Sequence, residues 1–257
     1  MWATGITYWL EFAIFVWIVH KLPAFEHFRI FKDRFHLDIK QLRENLSIGV
    51  PIGLAMFMEA SIFGVVALFI AKFGTVIIAA HQAALGFTSL LYMVPLSFSM
   101  ALTILVGVEA GAKRFEEAQK FSRMGIALNM AIAIFLAVLV YTNRPYIAML
   151  YTTDPVIIEK VSSAFCFIVN LFFQLFDATA APIQGILRGY KDVKATFYSG
   201  FFAYWVVCLP LGCFLDFVME HGPAAYWQSL DIGLFFSAVF LTLRMFWLQK
   251  KLAREQI

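Results

Sequence analysis

The sequence predicts an all-α, polytopic membrane helical bundle of six full transmembrane helices preceded by a partial helix. Hydrophobic residues make up 61% of the 257 positions and charged residues only 14%, with a mean hydropathy of +0.79. Soluble domains carry about 25% charged residues, so a soluble chain of this composition would lack the polar side chains needed to cover its surface. The composition therefore excludes a large soluble core and indicates a chain that crosses a membrane several times.

Six apolar stretches are long enough to span a bilayer, because a spanning helix needs about 20 mostly apolar residues. They cover roughly 48–71, 76–100, 125–142, 157–183, 196–219 and 229–248. A shorter stretch, about 5–19, opens the chain and contains Glu11. Lipid-exposed backbone must satisfy its own hydrogen bonds, which predicts helices for all of them.

Lysine and arginine residues cluster at alternate ends of these stretches. The opposite ends hold only Lys72, Arg144 and Lys160 of the 20 basic residues. Because basic loops stay on the cytoplasmic side, the pattern predicts a multi-pass protein of the cell inner (cytoplasmic) membrane. The C-terminus and loop 20–46 are expected in the cytoplasm and the first residues outside.

Several function classes lack their sequence signals. The basic residues are scattered among apolar stretches, so no nucleic-acid groove is expected. There is no phosphate-binding GxxxxGK[ST] stretch and no HExxH pair. The cysteines show no spacing for a metal site or a disulfide framework; they are Cys166, Cys208 and Cys213. We expect no enzyme and no cofactor, which leaves work driven by an ion gradient.

Two carboxylates lie deep inside apolar stretches, Glu59 in "PIGLAMFMEASIFGVVALFIA" and Asp177 in "LFFQLFDATAAP". A charge at mid-membrane costs at least ~2.5–3.5 kcal/mol on insertion scales and is a functional hypothesis by default. Burial disfavours the charged form of such a group, whereas a bound cation favours it. Either way each acid can exchange one cation for another, which is the chemistry of a coupling site. A static, protonated core carboxyl group is the structural alternative.

Asp177 shares its helix face with three amides. Asn170, Gln174, Asp177 and Gln184 follow one another at steps of four, three and seven, which places them in one stripe. The stripe is expected to face the bundle interior or a wet cavity, where Asn170 and Gln174 are candidate supporting ligands. The alternative is interhelical hydrogen bonding, worth only ~0.6 kcal/mol per contact on average.

Prolines in or near the spanning stretches free a backbone carbonyl and can bend a helix. Pro182 and Pro210 are the hinge candidates.

Five motifs in this order resemble the multidrug and toxic compound extrusion (MATE) transporters, NorM-like branch. They are "PIGLAMFMEASIF", "AAHQAALGFTSLLYMVPLSFSMALTILVGVEAGAK", "LYTTDPVI", "FDATAAPIQGILRGYKD" and "YWVVCLPLGCFL". The resemblance covers about 47–250. It implies the C-terminal six-helix lobe of a two-lobed transporter.

The resemblance also implies a domain organisation. Residues 1–20 would be the remnant of the last helix of a missing first lobe, and 21–46 a cytoplasmic inter-lobe loop. Residues 47–250 would form the lobe and 251–257 a cytoplasmic tail. The loop mixes charge with Phe and Ile, so an interfacial helix over about 25–45 and a solvated linker both remain open.

In relatives, the cation site of this lobe uses the acids that match Glu59 and Asp177, which here would bind Na+ (a metal ion as transported cargo) or H+. Some relatives have a tyrosine one turn before the aspartate, where this chain has Phe173. The implied function is a multidrug efflux antiporter exporting cationic aromatic drugs in exchange for Na+ or H+. Its partners would be membrane lipid and the missing N-terminal lobe.

Two alternatives remain. A lipid-linked saccharide flippase half of the same superfamily would need several Arg or Lys in its cavity, and the spanning stretches have almost none. A non-transporting truncated fragment or assembly partner is the other, since Met1 begins inside a helical stretch.

Overall fold

The computed structural model describes residues 2–22, 38–151 and 164–254, and every regular element in these ranges is helical. This confirms the all-α prediction. In chain order the elements are α1 (Trp2–Lys21), α2 (Ile39–Ala71), α3 (Thr75–Gly111), α4 (Phe115–Tyr151), α5 (Ala164–Gly189), α6 (Val193–Gly200), a π-helical segment (Phe201–Cys208), α7 (Leu209–Phe217) and α8 (Ala224–Arg254).

Five helical spans in the described residues are long and apolar enough to cross a membrane. They are Ile39–Ala71, Thr75–Gly111, Phe115–Asn143, Val193–Phe217 and Ala224–Arg254. Helix α5, which corresponds to the predicted stretch 157–183, packs among them as a further helix of the bundle. Residues 152–163 before it lie outside the described residues. The chain is a multi-pass membrane protein.

The helices extend beyond the apolar stretches that predicted them. Helix α2 begins at Ile39, well before the predicted lobe boundary at 47, and α8 continues through Arg254 into the predicted tail. The reason is that hydropathy detects only the apolar middle of a helix, whereas charged turns continue it into the interface. The predicted surface helix at 25–45 falls largely on residues 23–37, outside the described ranges.

The chain divides into two compact units, Met1–Asn45 and Leu46–Ile257. The first contains α1 and the first turns of α2. At the start of α2, the carboxylate of Asp38 accepts a hydrogen bond of 2.8 Å from the backbone N–H of Lys40, which caps the helix. The second unit contains the remaining helices and an apolar core of its own.

Helices α3 and α5 pack closely at glycine. A Cβ atom added to Gly185 would lie only 2.8 Å from the Cα of Ser99. The Thr103 hydroxyl on α3 donates a hydrogen bond of 3.0 Å to the Gly185 carbonyl on α5. Small residues allow such close approach of membrane helices, and the contact fixes α5 against α3.

The span Val193–Phe217 contains the π-helical segment directly before Pro210. Proline has no N–H, so it cannot bond the carbonyl of Val206 as a regular helix would. The N–H of Leu209 instead bonds the Tyr204 carbonyl five residues earlier. The helix is therefore locally irregular next to a predicted hinge, while the hinge motion itself stays a prediction.

Candidate cation site

Three helices of the larger unit enclose a cavity of about 180 Å³. Helix α2 contributes one acid to its lining, α5 contributes the other, and α3 supplies hydroxyl groups. The lining residues are Glu59, Phe63, Leu85, Thr88, Ser89, Tyr92, Phe173 and Asp177.

The structure brings Glu59 and Asp177 together, although 118 positions separate them in the sequence. Asp177 is only 4% exposed, whereas Glu59 is half-buried at the cavity wall. Both carboxyl groups line this one cavity. Two like charges in one apolar cavity repel each other, so a cation between them would relieve both the repulsion and the cost of burial.

Helix α3 contributes residues that the sequence interpretation missed. Thr88 and Tyr92 lie one turn apart on the face that also carries Leu85, and all three line the cavity. The Thr88 hydroxyl donates a hydrogen bond of 2.9 Å to the Ala84 carbonyl on its own helix. The steps of three and four from Leu85 to Thr88 to Tyr92 were the signal that could have identified this face.

The described amide side chains of the predicted stripe on α5 differ in burial and in hydrogen-bond partners. Gln174 is 2% exposed, and neither its oxygen nor its nitrogen has a hydrogen-bond partner among the described residues. Gln184 lies outside the cavity lining and accepts a bond of 3.4 Å from Arg188 on its own helix. Asn170 belongs to α5, but its side chain lies outside the described part of the chain. Gln174 thus has a buried, unpaired amide three residues before Asp177, but it is not part of the cavity lining.

Aromatic rings form the wall beside the acids. Phe173 packs edge-on against Phe63 with ring centroids 6.1 Å apart and against Trp227 at 6.4 Å. Phe173 lines the cavity one turn before Asp177, without the hydroxyl that a tyrosine would bring. This side of the site is therefore apolar.

The two hinge candidates differ in environment. Pro182 is buried within α5, one turn beyond the cavity, whereas Pro210 is exposed at the start of α7.

No group of three or more His, Cys, Asp or Glu side chains suited to a metal occurs in the described residues. Cys208 is buried and Cys213 half-buried, both as free thiols. The cavity lining itself offers two carboxylates and neutral hydroxyl oxygens.

A family model, MatE, matches residues 51–214, a range that includes both acids of the cavity. The chain belongs to the MatE family. Members of this family are transporters and not enzymes, which confirms the prediction that this chain is not an enzyme.

Curated relatives from several bacteria share the sequence across almost the whole chain. The probable multidrug resistance protein NorM of Bacillus subtilis (strain 168) is 45% identical over 254 residues, which is 99% of this chain and 56% of the relative. The protein of the same name from Halalkalibacterium halodurans is 42% identical over 98% of this chain and 55% of the relative. The chain thus spans about half the length of the curated relatives it matches.

Solved structures of MATE transporters share the fold. The eukaryotic MATE transporter AtDTX14 superposes with a TM-score of 0.86 over 98% of this chain and 56% of that structure, at 21% identity. The outward-facing conformation of a multidrug resistance MATE family transporter gives a TM-score of 0.73 over 88% of this chain and 52% of that one, at 18% identity. The bundle is therefore half of a MATE-type architecture.

Proposed function

We propose that this chain is the C-terminal lobe of a multidrug efflux antiporter that exports organic cations in exchange for Na+ or H+. One observation carries the proposal: Glu59 and Asp177, on two different helices, line one cavity inside a membrane-spanning bundle. Carboxylates in such a position cost at least ~2.5–3.5 kcal/mol each on insertion scales. A mobile cation that visits both acids offsets this cost and is then available for exchange.

Coupling follows from the different cation affinities of two conformations. A ligand shifts a conformational equilibrium only as far as its affinities for the two states differ. A cation between Glu59 and Asp177 cancels their repulsion and draws α2 towards α5, and its departure lets the two helices separate. The state that holds the small cation and the state that holds the organic cation then alternate.

Sodium is the preferred coupling ion in this proposal. The cavity offers two carboxylates and the hydroxyl oxygens of Thr88, Ser89 and Tyr92, and hard cations prefer oxygen ligands. Gln174 does not line the cavity, but its buried, unpaired amide on the same helix as Asp177 remains the proposed supporting ligand. Protons would use the same two carboxylates without needing the hydroxyl groups, and this difference makes the two ions separable by mutation.

The exported molecules would be cationic, aromatic and amphipathic. The chain is rich in Phe and Met, and such side chains hold organic cations through cation–π and soft, adaptable contacts. The relatives named as multidrug resistance proteins are about twice as long as this chain. A first lobe is therefore the proposed partner that completes the drug cavity.

The charge of the cavity argues against a flippase for pyrophosphate-linked saccharides. The described residues that line it include two acids and no lysine or arginine. Phosphate groups are bound by charge-assisted hydrogen bonds from cationic side chains, and the carboxylates would repel them. Cation exchange is the chemistry that fits this lining.

Ethidium efflux by the full-length protein in inverted membrane vesicles tests the proposal. Vesicles are given either a sodium gradient or a pH gradient, and ethidium fluorescence reports transport. We expect Asp177→Asn to abolish transport in the gradient that drives the wild type, because a neutral amide cannot exchange a cation. Protein abundance in the membrane should be unchanged.

Asp231→Asn is the matched control, since Asp231 is also an aspartate within a membrane-spanning helix but does not line the cavity. This variant should transport like the wild type. Unchanged efflux in Asp177→Asn would refute the assigned role. A wild type inactive in both gradients would favour the alternative of a non-transporting fragment or assembly partner.

A further inference from the structure

A second cavity, of about 350 Å³, lies between α8 and the helix formed by α6 and the π-helical segment. It shares no lining residue with the acidic cavity. Its walls are four aromatic side chains, each about half exposed: Tyr198 and Phe202 on one side, Phe236 and Phe240 on the other. Such a groove on a membrane-spanning bundle is lined for contact with hydrocarbon.

One end of the groove is cationic. Ser199 and Ser237 line the groove and share a hydrogen bond of 2.9 Å, so these two residues lie at the same level along the two helix axes. At 1.5 Å per residue, Lys194 lies roughly 7 Å and Arg244 roughly 10 Å from that contact, towards the same end. The ion pair between Arg244 Nε and Asp192 Oδ2, at 2.7 Å, shows that the two chain segments are level there.

Both cations continue the aromatic walls. Lys194 precedes Tyr198 by four residues, and Arg244 follows Phe240 by four residues. Residues four apart share a helix face. The groove therefore runs from four apolar rings to one cationic side chain on each wall.

Positive charge exceeds negative charge at this end. Asp192 contacts Arg244 through Nε, and the guanidinium lies over the Trp247 ring at 4.4 Å. A guanidinium has five N–H donors, so stacking and one ion pair leave further donors at its edge. Lys191 and Lys194 are both exposed nearby in sequence. An anion is the ligand that this end favours.

We propose that the groove binds an anionic phospholipid, with its phosphate between Lys194 and Arg244 and an acyl chain along the four aromatic rings. Basic sites between transmembrane helices on the cytoplasmic side bind anionic headgroups, and the positive-inside pattern assigns this end to the cytoplasm. Inorganic phosphate would leave the apolar walls unused. A protein segment would have no need of two cations at one end of the groove.

Native mass spectrometry of the detergent-purified full-length protein tests the proposal, with dioleoyl phosphatidylglycerol and dioleoyl phosphatidylcholine as the two probes. We expect the wild type to retain phosphatidylglycerol more tightly. Lys194→Ala should weaken the first phosphatidylglycerol by about five-fold, the effect of one cation near a membrane surface. Binding of phosphatidylcholine should stay the same.

Two matched controls separate the site from general effects. Lys250→Ala removes an exposed lysine of α8 outside the groove and should change neither lipid. Phe202→Gln should weaken both lipids by placing an amide in the acyl channel, whereas Phe246→Gln, at a similarly exposed ring outside the groove, should not. The apparent melting temperature in lipid-free detergent checks that all variants fold.

Four results would overturn the proposal. Equal affinity of the wild type for both lipids would show that charge plays no role. An equal loss of phosphatidylglycerol affinity in Lys194→Ala and Lys250→Ala would indicate non-specific attraction to the basic surface. Displacement of phosphatidylglycerol by inorganic phosphate would mean that the cationic end is a site for a free anion. A change of oligomeric state in Phe202→Gln without a change in lipid binding would assign the groove to a second copy of the chain.

Discussion

The side-chain amide of Asn129 on α4 donates a hydrogen bond of 2.6 Å to the backbone carbonyl of Ala178 on α5. Ala178 lies four residues before Pro182, and proline has no N–H to bond that carbonyl. Asn129, at 1% exposure, thus supplies the donor that Pro182 withholds. The contact holds α5 in place one residue after Asp177.

This relationship predicts a non-additive pair of substitutions. Asn129→Leu should lower the melting temperature of the purified protein, because it leaves a buried carbonyl without a donor; intramembrane hydrogen bonds are worth ~0.6 kcal/mol on average and up to ~1.7. In a Pro182→Ala background, residue 182 has its own N–H, and the same change should cost less. A double-mutant cycle by scanning fluorimetry measures the difference.

Asn143→Leu is the control, because Asn143 lies on the same helix but is exposed and bonds within its own turn. It should leave stability unchanged in both backgrounds. Equal costs of Asn129→Leu with and without Pro182 would contradict the assigned partnership.

The glycine contact between α3 and α5 predicts a second stability effect. Gly185→Ala should lower the melting temperature, because its Cβ would press on the backbone of Ser99, which cannot move aside as a side chain tip can. Gly64→Ala is the matched control in a helix of the same unit, since nothing lies within 4 Å of its added Cβ. We expect Gly64→Ala to be neutral or slightly stabilising. The opposite order would mean that α3 and α5 are less closely packed than described.

The all-α membrane bundle and the two acids could be predicted from the sequence for physical reasons that do not depend on tertiary detail. Carboxylates in apolar stretches need a compensating partner, so Glu59 and Asp177 stood out individually. Hydroxyl residues such as Thr88 and Tyr92 did not, because a single hydroxyl satisfies itself on its own helix or packs at low cost. Asn129 was missed for a related reason, since its partner is a backbone carbonyl that only the three-dimensional arrangement brings within reach.

A second set of features depends on the neighbours of each helix. Pro210 predicted an irregular helix, but the eight-residue π-helical segment Phe201–Cys208 on its N-terminal side has no local sequence signal. Helix ends at Ile39 and Arg254 lie in charged turns, where hydropathy carries no information. The groove between Tyr198 and Phe240 likewise requires knowledge of which faces remain uncovered.

An ion pair between an exposed lysine and a buried aspartate connects the end of α2 with α7 and α8. Lys72, just beyond α2, pairs with the buried carboxylate of Asp216 on α7, and the Tyr226 hydroxyl on α8 donates to the same oxygen at 2.6 Å. Lys72 also lies over the Phe217 ring, 4.1 Å from its centroid. Removing one partner of such a pair leaves an uncompensated charge.

We therefore expect Lys72→Met to lower the melting temperature and the double variant Lys72→Met/Asp216→Asn to recover part of the loss. Lys40→Met, at an exposed lysine of α2, serves as the control for removal of a positive charge. The same thermal shift in Lys72→Met and Lys40→Met would mean that the ion pair adds nothing specific.

The hydroxyl groups of the acidic cavity distinguish sodium from protons. Tyr92 lines the same cavity as Glu59, Phe173 and Asp177. If Na+ is the coupling ion, its coordination uses neutral oxygens as well as carboxylates, so Tyr92→Phe should raise the sodium concentration needed for half-maximal efflux several-fold. Proton coupling needs only the two acids, and the same variant would then leave the pH dependence of efflux unchanged.

Placing the hydroxyl on a different helix of the cavity makes this test specific. Phe173→Tyr in the Tyr92→Phe background returns one hydroxyl to the lining, one turn from Asp177, and should restore sodium affinity at least in part. Phe172→Tyr is the control, because the adjacent residue Phe172 is exposed and does not line the cavity. If Phe173→Tyr restores sodium affinity and Phe172→Tyr does not, the coupling ion must be coordinated by the hydroxyl oxygen at position 173. If the two variants have the same sodium affinity, Tyr92 is a packing residue, and the proton is favoured as the coupling ion.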